Sequence, residues 1–460
     1  MMNQEEKQNL YAERLARYQA AISLEPVDRM PVGATAANYL AEVYAGYTNQ
    51  EIIYDSEKWI AAQVKFCNDF PEIDVLRAGK IWGPLYDALG CNLYKLPGRD
   101  LPPLGQFQYV EMERMKADEY ELLINSPVEF FMERYLPRTF SEFKERGSTR
   151  SYMAFLKGGL GFMMRSAVNK KISETLQKEC GMPQPICGAF LAPFDFLADG
   201  LRGLQGIMLD LYRKPDQVLE ACDSLVDQMA RGALAGADPL RRLPIFLPLH
   251  RGNTPFLSQK QFDMFYWPSL KKTLEKVIAA GYQVRAYLEG DWGQNWHHFR
   301  ELPKGSVVCD IDTQGDIYKA WADLGGWQCI VGGMPDTTLI LGSPEDVKAK
   351  VKELCASIGK DGGYMITGGC SFPYDTKPEN FRAYVDAVLE YGRYSDSVKM
   401  EIKTGIPIKE KIFASEPPVV TPWEIKAKEL GGVTGDEELV KKSWEMLEHM
   451  AYNWLWSWTW

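Results

Sequence analysis

Eight short, almost unbroken apolar runs punctuate the chain: PVGA (31–34), IDVLRA (73–78), ICGAFL (186–191), IFLPLH (245–250), QVRAYLEG (283–290), VVCDID (307–312), QCIVGG (328–333) and YMITGG (364–369). A strand with one wet face alternates apolar and polar residues. A run that is apolar throughout needs cover on both faces, which is the condition of strands in parallel sheets. From the third run onward each is followed by a helix-like segment, and the predicted helices, with an apolar face at helical spacing, include 195–232, 258–280, 314–325, 343–358 and 376–393. Eight such alternations predict an α/β fold that closes into a (β/α)8 TIM barrel, with its active site at the carboxyl ends of the strands.

Two helix starts support this parsing. Ser343-Pro344-Glu345-Asp346 and Thr376-Lys377-Pro378-Glu379 each place a hydroxyl before proline and acidic residues. The interval 79–185 is too long for one crossover and is predicted to be an insertion after the second strand, with helices near 127–145 and 160–178. The glycine-rich KGGLGF (157–162) and Gly332-Gly333 lack phosphate-cradle spacing and are assigned to turns. The predicted organisation is an N-terminal helical segment (1–27), a catalytic barrel (28–395) containing the insertion, and a C-terminal extension (396–460). That extension ends in an aromatic string, Tyr452 to Trp460, which needs burial on its own barrel or on a sister subunit; a homodimer contact is the favoured expectation.

Charge and cysteine usage exclude several classes. The net charge is −10, with Lys and Arg scattered, so no phosphate-backbone footprint exists and nucleic-acid binding is disfavoured. No stretch reaches the roughly 18 apolar residues needed to span a bilayer. The charged helical start lacks the apolar core of a secretory signal, which predicts a cytoplasmic protein. Nine cysteines, odd in number and widely spaced, fit reduced, buried side chains better than a disulfide framework.

The strand ends carry the chemistry. The fourth ends in His250, followed by Asn253; the fifth ends in Tyr287-Leu288-Glu289-Gly290-Asp291-Trp292; the sixth carries Asp310 and Asp312; the eighth runs into Gly368-Gly369-Cys370. His, Glu, Asp and Cys are zinc ligands, and a catalytic zinc takes three of them while leaving one position open. A thiolate in the set favours zinc over magnesium. Each residue also has a plainer role: His250 as a hydrogen-bonded strand end, Glu289 as the partner of Arg251 or Arg285, Asp291 as a helix cap, Asp310 and Asp312 as a brace at the rim. Cys370 is the strongest single candidate, being the one cysteine at a strand terminus that faces the expected mouth.

Three segments carry a family resemblance. ERLARYQAAISLEPVDRMPVG (13–33), GAFLAPFDFLADGL (188–201) and GGCSFPYDTKPENFRAYVDAV (368–388) resemble the first-strand entry, the third strand with its helix, and the eighth strand with its helix of the uroporphyrinogen decarboxylase superfamily. The resemblance covers roughly 8–395, with 79–185 poorly matched. Against the decarboxylases themselves, ATAANYLAE (34–42) lacks the arginines that grip substrate carboxylates. Phe196 stands where they have tyrosine, the stretch Ala78 to Lys80 where they have aspartate, and Cys370 where they have histidine. In the cobamide-linked methyltransferase branch, a His-x-Cys pair aligns with Tyr287-x-Glu289, and Cys370 matches the last metal ligand.

What this resemblance implies is a zinc site of His250, Glu289 and Cys370, with Asp291 or Tyr287 auxiliary, and a methyl transfer from an O-methyl donor such as an aromatic methyl ether to a corrinoid on a partner protein. Glu289, Asp310 and Tyr287 are the catalytic candidates, and Trp292, Phe194, Phe196 and Asn253 the substrate-binding ones. Three alternatives remain open at this stage: thiol methylation from a methylcorrinoid, a metal-free lyase using Asp310 or Asp312 with an arginine, and a non-catalytic scaffold.

Overall fold

The computed structural model describes residues 3–34, 39–79, 81–360, 362–395, 398–405 and 412–459. Thr35 to Asn38 of the arginine-free segment, Lys80 and Trp460 lie outside the described residues. All eight predicted runs contain strands: β1 (Gly33–Ala34), β2 (Val75–Leu76), β3 (Cys187–Ala189), β4 (Ile245–Leu249), β5 (Val284–Leu288), β6 (Val307–Ile311), β7 (Cys329–Gly332) and β8 (Tyr364–Met365). They run parallel, β3 to β8 as one six-stranded sheet in sequence order and β1 with β2 as a separate pair.

The two sheets meet at seams held by other bonds. Leu76 N donates to the Pro183 carbonyl at 3.2 Å on one side. On the other, the Tyr384 hydroxyl reaches both the Gly33 carbonyl at 2.9 Å and the Ile366 carbonyl at 2.7 Å, tying β1 to the end of β8. A Cβ on Gly33 would lie 3.1 Å from the Met365 side chain, so glycine there lets the two strands approach.

Period-two alternation sorts the strand residues between two cores. Leu247, Leu249, Ala286, Leu288, Cys309 and Ile311 pack outward against the helices in the main cluster. Val75, Val308, Cys329, Val331 and Met365 instead form a small cluster with Tyr18 and Ile22. Those last two belong to the helix Gln4–Ile22, which starts at an Asn3/Glu6 capping box and plugs the amino end of the strands. Tyr18 anchors the plug by donating to the Pro185 carbonyl at 2.7 Å. Above the apolar layer, Arg285 and Asp310 form a buried ion pair, so the interior turns polar toward the carboxyl ends.

The helices follow the predicted segments with local breaks. Segment 195–232 divides at Lys214-Pro215 into Gly203–Arg213 and Pro215–Ala235, because proline removes a helical donor. Ser343 caps Pro344–Ser357 as predicted. Thr376 does not cap its helix: Pro378–Tyr391 begins after Lys377 with no side-chain cap, one residue later than the sequence suggested. KGGLGF is not a turn either. It lies within the helix Thr149–Cys180, and a Cβ on Gly158 would fall 2.1 Å from the Trp458 ring.

That contact explains the aromatic tail. Trp458 is fully buried among Phe140, Phe143, Phe155 and Phe162 of the insertion, at centroid distances of 5.4–5.8 Å. Trp456 packs on Phe131 of the insertion and on Phe196 at 4.7 and 5.8 Å. The burial that was expected from a second subunit is met within the chain. Among the described residues no helix is long and apolar enough to cross a membrane. None of the nine cysteines is disulfide-bonded, and all but Cys187 and Cys370 are buried.

Candidate active site at the carboxyl ends of the barrel strands

The centre of the mouth is His250, at the end of β4. Its Nδ1 lies 2.8 Å from Asp199 Oδ2, and its Nε2 faces Glu289 Oε2 at 3.8 Å. Asp199 comes from Phe196–Arg202, a π-helical segment after β3, a wide-turned form that recurs at functional sites. Its other oxygen accepts from Arg251 Nε at 2.6 Å. Arg251 also reaches Glu111 of the insertion at 3.2 Å, which brings the insertion to the rim.

Beneath this pair Asp195, fully buried, fixes the loop after β4. Its two oxygens accept from the backbone N–H groups of His250 at 2.9 Å and Arg251 at 3.0 Å, and from the Tyr266 hydroxyl at 2.8 Å. Burial works against a charged imidazole at His250. The Asp199 hydrogen bond and the charges of Asp195, Asp199 and Glu289 outweigh it and push the pKa up to about 9. His250 is therefore an imidazolium at neutral pH, one third of its side chain exposed to the mouth. Partial desolvation and the neighbouring carboxylates Asp312 and Asp199 raise Glu289, against the opposing pull of His250.

The next layer down holds Tyr287, Arg77 and Cys370. Tyr287 is buried and pushed up by desolvation and by its neighbours, among them Cys370, Asp312 and Asp310. Cys370 Sγ lies 3.8 Å from Arg77 Nη1, and burial raises its thiol despite that cation. Asp310 uses one oxygen for both contacts from Arg285, at 2.9 and 2.6 Å. Arg285 thereby anchors that oxygen, and the other, Oδ1, is buried without a hydrogen-bond partner. Asp312 accepts from Gly290 N at 2.7 Å and Thr313 N at 2.6 Å, bracing the rim.

Several predicted roles change. The three proposed zinc ligands do not meet: His250 and Glu289 are neighbours, but Cys370 sits against Arg77, and among the described residues no three His, Cys, Asp or Glu side chains gather into a metal-holding group. This arrangement does not fit the implied zinc. Asp291 Oδ1 accepts from Gly293 N at 2.8 Å, so it caps the local turn. Trp292 is not a pocket wall: it is fully buried against Tyr266 and Phe262, with Nε1 donating to the Glu289 carbonyl at 3.0 Å. Phe194 is buried on Tyr266, and Phe196 faces Trp456, so neither lines the mouth. Asn253 is buried too, and its Nδ2 holds the Glu289 carbonyl at 2.6 Å, which positions that residue from behind.

Asp195, Asp199, Tyr266 and Arg77 were not among the predicted site residues. The pair Asp195 and Asp199, four apart in FDFLAD just after a strand, was the available signal.

The architecture agrees with comparisons to known proteins. A methyltransferase from Methanosarcina mazei superposes with a TM-score of 0.58, covering 82% of this chain and 98% of that one at 18% identity. Uroporphyrinogen decarboxylases align at 30% identity over 137 residues in Anaeromyxobacter dehalogenans, 30% of this chain and 38% of that protein. The one from Psychromonas ingrahamii aligns at 33% over 168 residues, 36% of this chain and 46% of that protein. That from Pseudomonas fluorescens aligns at 24% over 245 residues, 50% of this chain and 64% of that protein. In each of these three the matched segment spans less than two thirds of the relative's length. The uroporphyrinogen decarboxylase family model matches residues 165–391, which hold β3 to β8 with His250, Glu289 and Cys370. Over that region the chain belongs to the uroporphyrinogen decarboxylase superfamily.

Proposed function

We propose that this barrel catalyses methyl transfer from an O-methyl donor, an aromatic methyl ether, to a corrinoid carried by a partner protein, with His250 as the general acid. The observation that carries this reading is the placement of His250, with Nδ1 2.8 Å from Asp199 and Nε2 open to the mouth beside Glu289, surroundings that favour its protonated form. A reduced corrinoid supplies a cobalt nucleophile that takes the methyl group. The difficulty left to the protein is the oxygen, a poor leaving group unless protonated as the C–O bond breaks. The bond's electron pair goes to the oxygen, the proton on His250 Nε2 follows it, and solvent then reprotonates the ring. Asp199 holds the Nδ1 proton throughout and keeps the ring aimed.

The reading is supported by the fold neighbour's description as a methyltransferase and by the loss of the arginine segment expected of a decarboxylase. The route differs from the one the resemblance implied, because the zinc ligands are apart. A metal-free lyase is the second reading: the same acid would protonate a carbanion left after loss of CO2. The deciding experiment incubates the protein with methoxylated aromatics and a Co(I) corrinoid protein. Conversion of Co(I) to methyl-Co(III) with release of one phenol per methyl is expected, whereas CO2 release without a cobalt change would overturn the proposal in favour of the lyase.

A further inference from the structure

One cation in the mouth makes no ion pair with a carboxylate among the described residues. Arg77 leaves the end of β2 half-buried, and among the described residues its guanidinium contacts only the Cys370 sulfur at 3.8 Å and the face of Phe246 at 4.0 Å. The other arginines near the mouth are paired: Arg285 with Asp310, Arg251 with Asp199 and Glu111. Asp310 acts on Arg77 only at longer range, without an ion pair: both Arg285 contacts converge on its Oδ2, and its Oδ1 is buried without a hydrogen-bond partner. Half-buried arginines usually have an anion, because desolvating a cation without one is costly.

We propose that Arg77 is the anchor for a carboxylate on the substrate, so that the methyl donor is an aromatic ether bearing a carboxylic acid; the assignment deepens the methyl-transfer reading and rests on it. Phe246, on β4 and facing the interior two positions below Pro248 and four below His250, holds the guanidinium plane from one side. Apart from the long Nη1 contact with Cys370, its N–H edge meets no acceptor among the described residues, which leaves it to the bidentate geometry that carboxylates accept. Charge sets the anion class. The rim above carries Asp199, Glu289 and Asp312 against the cations of His250 and Arg251, so it stays net negative and disfavours a dianionic phosphate more than a monoanion. A monoanionic carboxylate matches the single unpaired charge. An acid held at Arg77 would direct the far side of its ring, with the methoxy group, toward the rim where His250 stands.

The test is binding of the methoxybenzoate isomers and of the corresponding methoxybenzyl alcohols, measured by calorimetry on the full chain without any corrinoid protein. The wild type is expected to bind at least one acid more tightly than its alcohol. Arg77→Gln should weaken the acid roughly 10- to 100-fold, the loss of a charge-assisted pair, and leave the alcohol unchanged; Arg77→Lys should recover part of the difference, and a melting curve checks that each variant is folded. Equal weakening of acid and alcohol, or no preference for any acid over its alcohol in the wild type, overturns the assignment while leaving methyl transfer untouched. An acid that binds through Arg77 but transfers no methyl to a Co(I) corrinoid protein overturns the methyl-transfer reading alone.

Discussion

His250 Nδ1 and Asp199 Oδ2 stand 2.8 Å apart, a strand end joined to a π-helical turn 51 residues earlier in the chain. The pair decides the protonation state of the mouth, and from it the whole proposed chemistry. Replacing the acid, His250→Gln, is expected to lower the methyl-transfer rate about 10²- to 10⁴-fold, the range of general acid catalysis, with binding of methoxylated acids nearly intact. Rapid-mixing kinetics with a corrinoid protein would check this. An unchanged rate would remove His250 from the chemistry.

The same pair makes stability depend on pH. The folded histidine, at about 9, lies above the roughly 6.5 of an unfolded one, so folding favours the protonated form. Its stabilisation is fully present below about 6.5 and is lost as pH rises through about 9. The stability gap between wild type and His250→Gln, measured by urea unfolding, should therefore shrink between those two values. A gap that is constant or widens contradicts the assignment.

Asp195 holds two backbone N–H groups and the Tyr266 hydroxyl in a buried position. Asp195→Asn turns an acceptor into a donor facing donors and is expected to cost about 1–3 kcal/mol of stability. It should also slow methyl transfer, because the loop that aims His250 loosens. Tyr266→Phe removes one bond and should cost less than Asp195→Asn in the same unfolding experiment.

Trp458 fills the space against Gly158 inside the insertion. Trp458→Ala is expected to cost about 3–5 kcal/mol, as large core truncations do. Gly158→Ala overpacks the same space and should cost about 1–3 kcal/mol in the wild type. In the Trp458→Ala background it should cost much less, since the clashing ring is gone. Additive losses in thermal unfolding would show that the two do not share the space.

With His250 and Glu289 apart from Cys370, purified protein should hold far less than one zinc per chain, measured by mass spectrometry of the metal. One zinc per chain that is lost in both Cys370→Ala and Glu289→Ala would restore the three-ligand site.

How much of this was legible beforehand follows physical lines. The strands were, because Val, Ile and Leu in unbroken runs admit few other fates, and the meeting of His250 with Glu289 followed from their places at the ends of adjacent strands. Cys370 was misplaced because its neighbour, Arg77, comes from β2, 293 positions away, and spacing cannot reveal such a pairing. Trp292 and Phe196 have the chemistry of pocket walls, yet their directions were set by Tyr266 and Trp456. KGGLGF reads locally as a turn, but Gly158 is small because Trp458 needs its place. Asp195 and Asp199 were visible as residues and invisible as a site, since their partners lie beyond the next strand.

The most direct test of the central claim is the pH dependence of single-turnover methyl transfer from a methoxylated aromatic acid to a Co(I) corrinoid protein, in wild type and Asp199→Asn. If His250 delivers the proton, the wild-type rate holds through neutral pH and falls with an apparent pKa of about 9, and Asp199→Asn moves that fall to lower pH. A wild-type rate that stays level well past that point, or a fall that Asp199→Asn does not move, would contradict it.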